Sequence, residues 1–395
     1  MKSNLMRIAR IAAAIGLAAS ATGACGASTL RVGPGEAYAE PSAAIAAAHD
    51  GDLIQIRSDG NYDNDVTLIK RNNLTIEGVG TTRPVMKTDG RVYGKKGIWM
   101  FASGCSNLTV ENIEFKGARV SDADGANGAG LRSQGQNLTV RNCRFHDNQD
   151  GILGGFGTTT IERCEFDHNG LNGLTHNLYI GDQSGTLIFR FNYSHDTVAG
   201  HLLKSRAAVN IIEFNWLVDM DGTGSYELDL PNGGKADVVG NIIQQSAGSQ
   251  NSTIFAYGEE GITNKNSELN IVNNTFVNDR SAGVFVNAQN LPVKFKLLAR
   301  NNIFAGPGTT IVMSTGVPDV GGNLNTTVEK AGFANPARYD FRLTKNSPAI
   351  GMGIAPGVDL EGKPLNALFQ CSAPMTEKPR PPEGKPDTGA EAYLP

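Results

Sequence analysis

His176-Asn177-Leu178-Tyr179-Ile180-Gly181, His201-Leu202-Leu203-Lys204-Ser205-Arg206 and Tyr226-Glu227-Leu228-Asp229-Leu230-Pro231 are three segments in register. Twenty-five residues separate His176 from His201, and twenty-five separate His201 from Tyr226. The same step relates Tyr179, Lys204 and Asp229, and it relates Leu178, Leu203 and Leu228. A fixed period of this size marks a solenoid, in which one coil stacks on the next. Equivalent residues then lie about one strand spacing apart, roughly 5 Å. Polar residues that are distant in sequence merge into one patch.

The rest of the chain carries the same signal. Short apolar strands recur between Gly- and Asn-rich turns, among them Leu74-Thr75-Ile76, Leu108-Thr109-Val110, Leu138-Thr139-Val140, Ile211-Ile212 and Leu269-Asn270-Ile271. An Asn follows many of them: Asn192, Asn215, Asn241, Asn274 and Asn302, at steps of 23, 26, 33 and 28. A constant motif at variable steps means a constant core with loops of changing length. Stacked Asn side chains can satisfy backbone groups at the turn of a closed coil. Each repeat holds about three strands and no helix, and hairpin signals between paired runs are missing. The reading is an all-β parallel β-helix. Pro41 to His49 is Ala-rich with Pro at its start, so it is expected to form a short helix covering the open amino-terminal end.

Composition narrows the function classes. The chain has 395 residues, 48 of them Gly, and a net charge of only −4. No long basic run exists, so nucleic acid is not an expected partner. Residues 1–27 read as an export signal, with Lys2, Arg7 and Arg10 before the apolar stretch Ile11 to Ala19. That stretch is too short to span a bilayer, and no other segment could. A periplasmic or secreted location is expected. Cys25 stands where a lipoprotein cysteine would, but Thr-Gly-Ala-Cys matches Leu-x-x-Cys poorly, so anchoring is the lesser reading. Five cysteines are too few for a disulfide scaffold. Cys143 and Cys164 lie 21 apart, in contexts that match Ile113, and are read as a buried apolar stack rather than a disulfide.

Several motifs carry a family resemblance. Residues 28 to about 370 resemble the right-handed parallel β-helix proteins of the pectate-lyase-like superfamily. The helix followed by Gly51-Asp52 is similar to their amino-terminal cap. Tyr339-Asp340-Phe341-Arg342-Leu343 and Ser347-Pro348-Ala349-Ile350 resemble the last coil of bacterial members, and Pro386-Asp387-Thr388-Gly389-Ala390 their closing tail. The resulting division is a signal over 1–27, a β-helix domain over 28–370 and a tail over 371–395. The resemblance implies polysaccharide-active enzymes (lyases, hydrolases and epimerases), although the superfamily also holds adhesins and phage spikes.

Side chains alternate faces along a strand. Leu178, Ile180, Leu203, Ser205, Leu228 and Leu230 fit the inner face. Tyr179, Lys204, Arg206, Glu227 and Asp229 are then expected to face out, with His176, His201 and Tyr226 at the strand starts. A face so rich in Lys, Arg, His and Tyr suits an acidic glycan. Cleaving a 4-linked uronate by β-elimination needs a neutralised carboxylate, a base for the C5 proton and an acid for the leaving O4. Lys204 serves as base if neighbouring cations lower its pKa, and His176 or His201 serves without such a shift. Arg206, Tyr226, Tyr179 or a His is the acid. Asn177, Glu227, Asp229 and Tyr257 are expected to bind substrate. Leu203-Lys204-Ser205 also resembles the alginate- and chondroitin-lyase branch, where a Lys here is the base and an Arg one coil later the acid. Asp229 and Tyr226 stand where that Arg would be, and Arg206 lies on the same strand instead.

Carboxylates offer rival chemistry. Glu227 with Asp229 would make a glycoside hydrolase. Asp182, Asp219 and Asp221, or Asp122 and Asp124 in Ser121-Asp122-Ala123-Asp124-Gly125, could hold calcium, though none completes a ligand pattern. Trp99, Lys95, Lys96, Glu259 and Glu260 are placed at the ends of a groove. The expectation is a secreted, monomeric lyase of a uronic-acid polysaccharide. A hydrolase, a uronate C5-epimerase and a non-catalytic glycan binder are the alternatives.

Overall fold

The computed structural model describes residues 26–381 and 384–395. The export-signal reading falls mainly on residues 1–25, with Cys25 among them, and so lies outside the described residues.

Three parallel faces run the length of the coil. The first carries Gly97–Phe101, Leu178–Ile180, Leu203–Ser205, Leu228–Leu230, Thr253–Tyr257, Val284–Ala288 and Thr309–Met313. The second includes Leu53–Arg57, Thr75–Val79, Thr186–Arg190, Val209–Glu213, Lys235–Val239 and Lys296–Arg300. The third runs through Glu114–Lys116, Arg144–His146, Glu165–Asp167, Tyr193–His195, Trp216–Val218 and Ile242–Gln245 to Leu324–Thr326. Two long strands, Ala129–Arg141 and Asp150–Glu162, bend from the first face into the second. Every pairing between coils is parallel. This is the right-handed parallel β-helix expected from the period.

The coil closes for reasons visible in the residues. Asn192, Asn215, Asn241, Asn274, Asn302 and Asn323 form one ladder, each Oδ1 accepting the backbone N–H of the preceding member at 2.8–2.9 Å. The side-chain N–H of Asn215 in turn donates to Phe189 O, at 2.8 Å. Residues just before the ladder turn left-handed, including Phe191 (φ 55°), Phe214 (φ 59°) and Asn273 (φ 53°). That bend explains why the coil needs side-chain acceptors there. Cys143 and Cys164 occupy the same column; both are buried and free, and each Sγ faces the backbone N–H of the preceding coil at 3.5 Å. Inside, Phe115, Phe145 and Phe166 stack with centroids 5.0 and 5.2 Å apart.

The amino-terminal helix is Pro41–Ala47, with Ala44 and Ile45 buried. At the other end the structure departs from expectation. Tyr339 to Leu343 is not a last coil. Asp340–Leu343 pairs antiparallel with Phe333–Asn335, and the unit packs on the outside of the third face against Trp216, Val218 and Ile303. The tail continues there, with Gly389 N–H donating to Asn301 O and Trp216 Nε1 to Cys371 O. Apolar residues of the third face, which would otherwise meet water, explain this wrapping.

Candidate functional site

Register places the polar residues of the first face in two columns. One runs Met100, Arg132, Leu153, Tyr179, Lys204, Asp229, Ala256 and Asn287, all facing outward. The other runs along the strand starts, from Asp150 through His176 and His201 to Tyr226. Its side chains stack. The His176 and His201 rings lie 4.5 Å apart at 10°, and His201 and Tyr226 lie 5.0 Å apart at 22°.

A backbone ladder fixes this second column. Asp150 Oδ1 accepts the His176 N–H at 2.9 Å. His176 Nδ1 accepts the His201 N–H, and His201 Nδ1 accepts the Tyr226 N–H, both at 3.1 Å. A neutral imidazole whose Nδ1 accepts a hydrogen bond carries its proton on Nε2. Burial holds both rings neutral. It drives His176 well below its usual pKa and His201 down to about 3, and the nearby Lys204 charge adds to both. Neither ring has a free lone pair, so neither is the base that the sequence suggested. Each can only offer an Nε2–H. Asp229 Oδ2 lies 3.6 Å from His201 Nε2, which is not an ion pair while the ring is neutral.

Lys204 is the centre of the first column. Its Nζ lies 3.1 Å from Asp229 Oδ2 and 3.0 Å from Glu260 Oε1, and 5.7 Å from the centre of the Tyr179 ring. Burial alone would lower its pKa. Asp229 and Glu260 outweigh that and raise it above the ordinary lysine value. The lowered pKa expected from neighbouring cations is therefore overturned, and Lys204 stands as an ammonium. Burial pushes Asp229 the other way, up to about 6 against the pull of Lys204, and its Oδ1 has no hydrogen-bond partner. The proton rests on Lys204, which faces two carboxylates.

Arg206 completes the cluster. Its Nε donates to Tyr179 Oη at 2.6 Å, and Nη1 reaches Asn232 Oδ1 at 2.6 Å and Glu260 Oε2 at 2.7 Å. The two oxygens of Glu260 thus bridge the two cations. Glu260 comes from the turn between Gly258 (φ 76°) and Gly261 (φ 97°), and its side chain is 47% exposed. The neighbouring Glu259 accepts the Tyr226 O–H. Burial first, and then Glu259, push the Tyr226 pKa above its usual value, which weakens it as an acid. The face is richer in anions than its sequence suggested. A cleft of about 550 Å³ opens beside the cluster, lined by Asp182, Ala208, Lys235, Asn264 and Lys265 among others. Asn264 ties it to the site by donating to Arg206 O at 3.1 Å.

Three expected substrate-binding residues turn away. Asn177 is wholly buried, accepts from Asn169 Nδ2 at 3.0 Å and donates to His195 O at 3.0 Å. Glu227 is wholly buried as well, held by Gln245 Nε2 at 3.2 Å, and burial drives its pKa well above the usual carboxyl range. Both occupy the corner before the strand, where the chain points inward and alternation fails. The Glu227/Asp229 hydrolase pair is therefore not formed. Tyr257 sits opposite Leu230 on the inner face and donates its O–H to Gly234 O at 2.6 Å. Trp99 is also core, edge-on to Phe115.

Three of the carboxylates considered for calcium have protein partners. Asp124 pairs with Lys95 Nζ at 2.7 Å, Asp182 takes the Gly157 N–H at 3.0 Å, and Asp219 takes those of Thr197 and Gly224. Two other groupings could hold a metal by donor type: Glu165, Asp167 and His195, and Asp237, Glu268 and Asp359. Protein cations already meet both. Arg144 binds Asp167 through two bonds of 3.0 Å, and Lys235 binds Asp359 at 2.7 Å. Arg132 was not singled out from sequence, because Leu153 interrupts the polar column between it and Tyr179.

Residues 54–243 match the family described as right handed beta helix region. Among solved structures, the pectin methylesterase of Aspergillus niger is similar in two forms. The penultimately deglycosylated form is 15% identical with a TM-score of 0.34, covering 76% of this chain and 85% of that one. The deglycosylated form is 14% identical with a TM-score of 0.32 over the same shares. No curated protein matches the sequence. The match over residues 54–243 and the stacked parallel coils together show a right-handed parallel β-helix.

Proposed function

We propose that the first face is the active site of a polysaccharide lyase that cleaves a uronic-acid glycan by β-elimination. One observation carries the reading: Lys204 and Arg206 already grip a carboxylate, that of Glu260, beside the Tyr179 oxygen that Arg206 holds. A substrate carboxylate displacing Glu260 would have its charge neutralised there, which stabilises the enolate formed at C5. Tyr179 is then the proton carrier. Acting as the phenolate, the Tyr179 oxygen takes the C5 proton, the C4–O4 bond breaks as the C4–C5 double bond forms, and the resulting phenol returns the proton to the leaving O4. The Arg206 hydrogen bond steadies charge on the Tyr179 oxygen throughout. His201 and His176 offer Nε2–H groups to the sugar. Export to the periplasm or medium, expected from residues 1–27, would bring the protein to such a polymer.

A panel of polyuronates incubated with the protein tests this. Lysis produces the unsaturated-uronide absorbance together with new reducing ends. Reducing ends alone would mean hydrolysis. A changed sugar spectrum by NMR without cleavage would mean epimerisation, which shares the C5 proton abstraction. Binding with no covalent change would leave a glycan-binding protein.

A further inference from the structure

Arg132 is placed by the long strand Ala129–Arg141, in the outward column that leads to Lys204. It stands opposite Leu153, which stands opposite Tyr179, which stands opposite Lys204. Three strand spacings separate it from Lys204, or about 14 Å along the coil axis. Its Nε and Nη1 are buried, and neither has a hydrogen-bond partner among the described residues. Burial lowers its pKa, and only Asp150 and Tyr179 act against that. Asp150 is not close enough for an ion pair of 4 Å among the described residues. Its Oδ1 is committed to the His176 N–H, and its Oδ2 is also buried without a partner. Burial pushes the Asp150 carboxyl up to about 7, so it is a weak counter-charge near neutral pH.

A guanidinium with desolvated, unpaired N–H groups is costly, and the cost is recovered when an anion arrives. Its planar fork suits a carboxylate. The other cations of this face have partners: Lys204 and Arg206 share Glu260. Resting on the acidic-glycan reading of the groove, we infer that Arg132 anchors a second anion subsite, which binds the carboxylate of another sugar of the same chain, further along the groove from the one at Lys204 and Arg206. The subsite makes the groove select polymers over short uronates.

Two measurements test this. The first is thermal unfolding of Arg132→Met without ligand. The melting temperature is expected to stay level or rise, because the substitution leaves no partner unpaired. A fall of several degrees would make Arg132 structural and overturn the inference. The second is calorimetric binding of a uronate disaccharide and a long uronate oligosaccharide, in a Tyr179→Phe background that keeps the chain intact. Arg132→Met should weaken the long oligosaccharide about tenfold to a hundredfold, the range for hydrogen bonds to a charged group, and leave the disaccharide unchanged. Lys204→Met should weaken both. If Arg132→Met binds the long oligosaccharide as its parent does, the subsite is wrong and the groove reading stands. If the parent binds neither ligand, both fall.

Discussion

Glu260→Gln removes the carboxylate that occupies the seat between Lys204 and Arg206. Its two bonds are 3.0 and 2.7 Å long, but the Glu260 side chain is 47% exposed, so solvent screens both. Pairs of this kind are worth about 0.2–1 kcal/mol each, and two give about 0.4–2 kcal/mol. A substrate carboxylate must displace that interaction. Removing it should tighten apparent binding by the same amount, or about 2- to 30-fold at 1.4 kcal/mol per tenfold. The assay is KM for the polyuronate cleaved, with a thermal melt alongside. KM should fall within that range while the melting temperature drops slightly. Arg206 first, and then Lys204, hold the Glu260 carboxyl below its ordinary pKa. Its contribution is therefore complete above the unfolded value and lost only as pH falls through the lower folded one. The KM ratio of variant to parent should stay constant across neutral pH. A raised KM would refute the reasoning, because it would mean that Glu260 helps to hold substrate rather than standing in its place.

Other outcomes follow from the same geometry. Tyr179→Phe should cut kcat about a hundredfold or more, the usual loss for an acid/base group, with little change in melting temperature; unchanged turnover would remove Tyr179 from the mechanism. Asn215→Ala should cost about 2–6 kcal/mol by denaturant titration, because it orphans the Asn192 N–H and the Phe189 carbonyl, each worth about 1–3 kcal/mol; a loss under about 0.5 kcal/mol, as for a surface change, would sink the ladder argument. Stability should fall as pH rises from about 4, the ordinary carboxyl value, to about 7, since burial raises the folded pKa of Asp150 and Asp219 to about 7 and that of Asp229 to about 6. Glu227→Gln should flatten that slope and leave turnover intact; loss of activity would restore the hydrolase reading.

Much of this was legible because one number, the 25-residue step, is a physical spacing. It set Tyr179, Lys204 and Asp229 in one column and stacked His176, His201 and Tyr226 in the next. Period-two alternation placed Leu178, Leu203 and Leu228 inside. It failed at Asn177 and Glu227, since the corner before a strand is not itself extended strand. Tyr257 was misplaced for want of register: it stands opposite Leu230, an inward residue. The charge state of Lys204 was out of reach, because Glu260 arrives from 56 residues away through a turn whose path no local pattern specifies. Arg132 was hidden by Leu153, which breaks the polar column that would have pointed to it.

The proposed mechanism requires the Lys204–Arg206 seat to receive a uronate carboxylate beside Tyr179. The most direct test is a crystal structure of Tyr179→Phe soaked with an oligouronate. A sugar carboxylate is expected between Lys204 Nζ and Arg206 Nη1, with Glu260 displaced and C5 facing the ring at position 179. A ligand seated elsewhere, as in the cleft beside Lys235 and Lys265, with Glu260 still bridging the two cations, would contradict it.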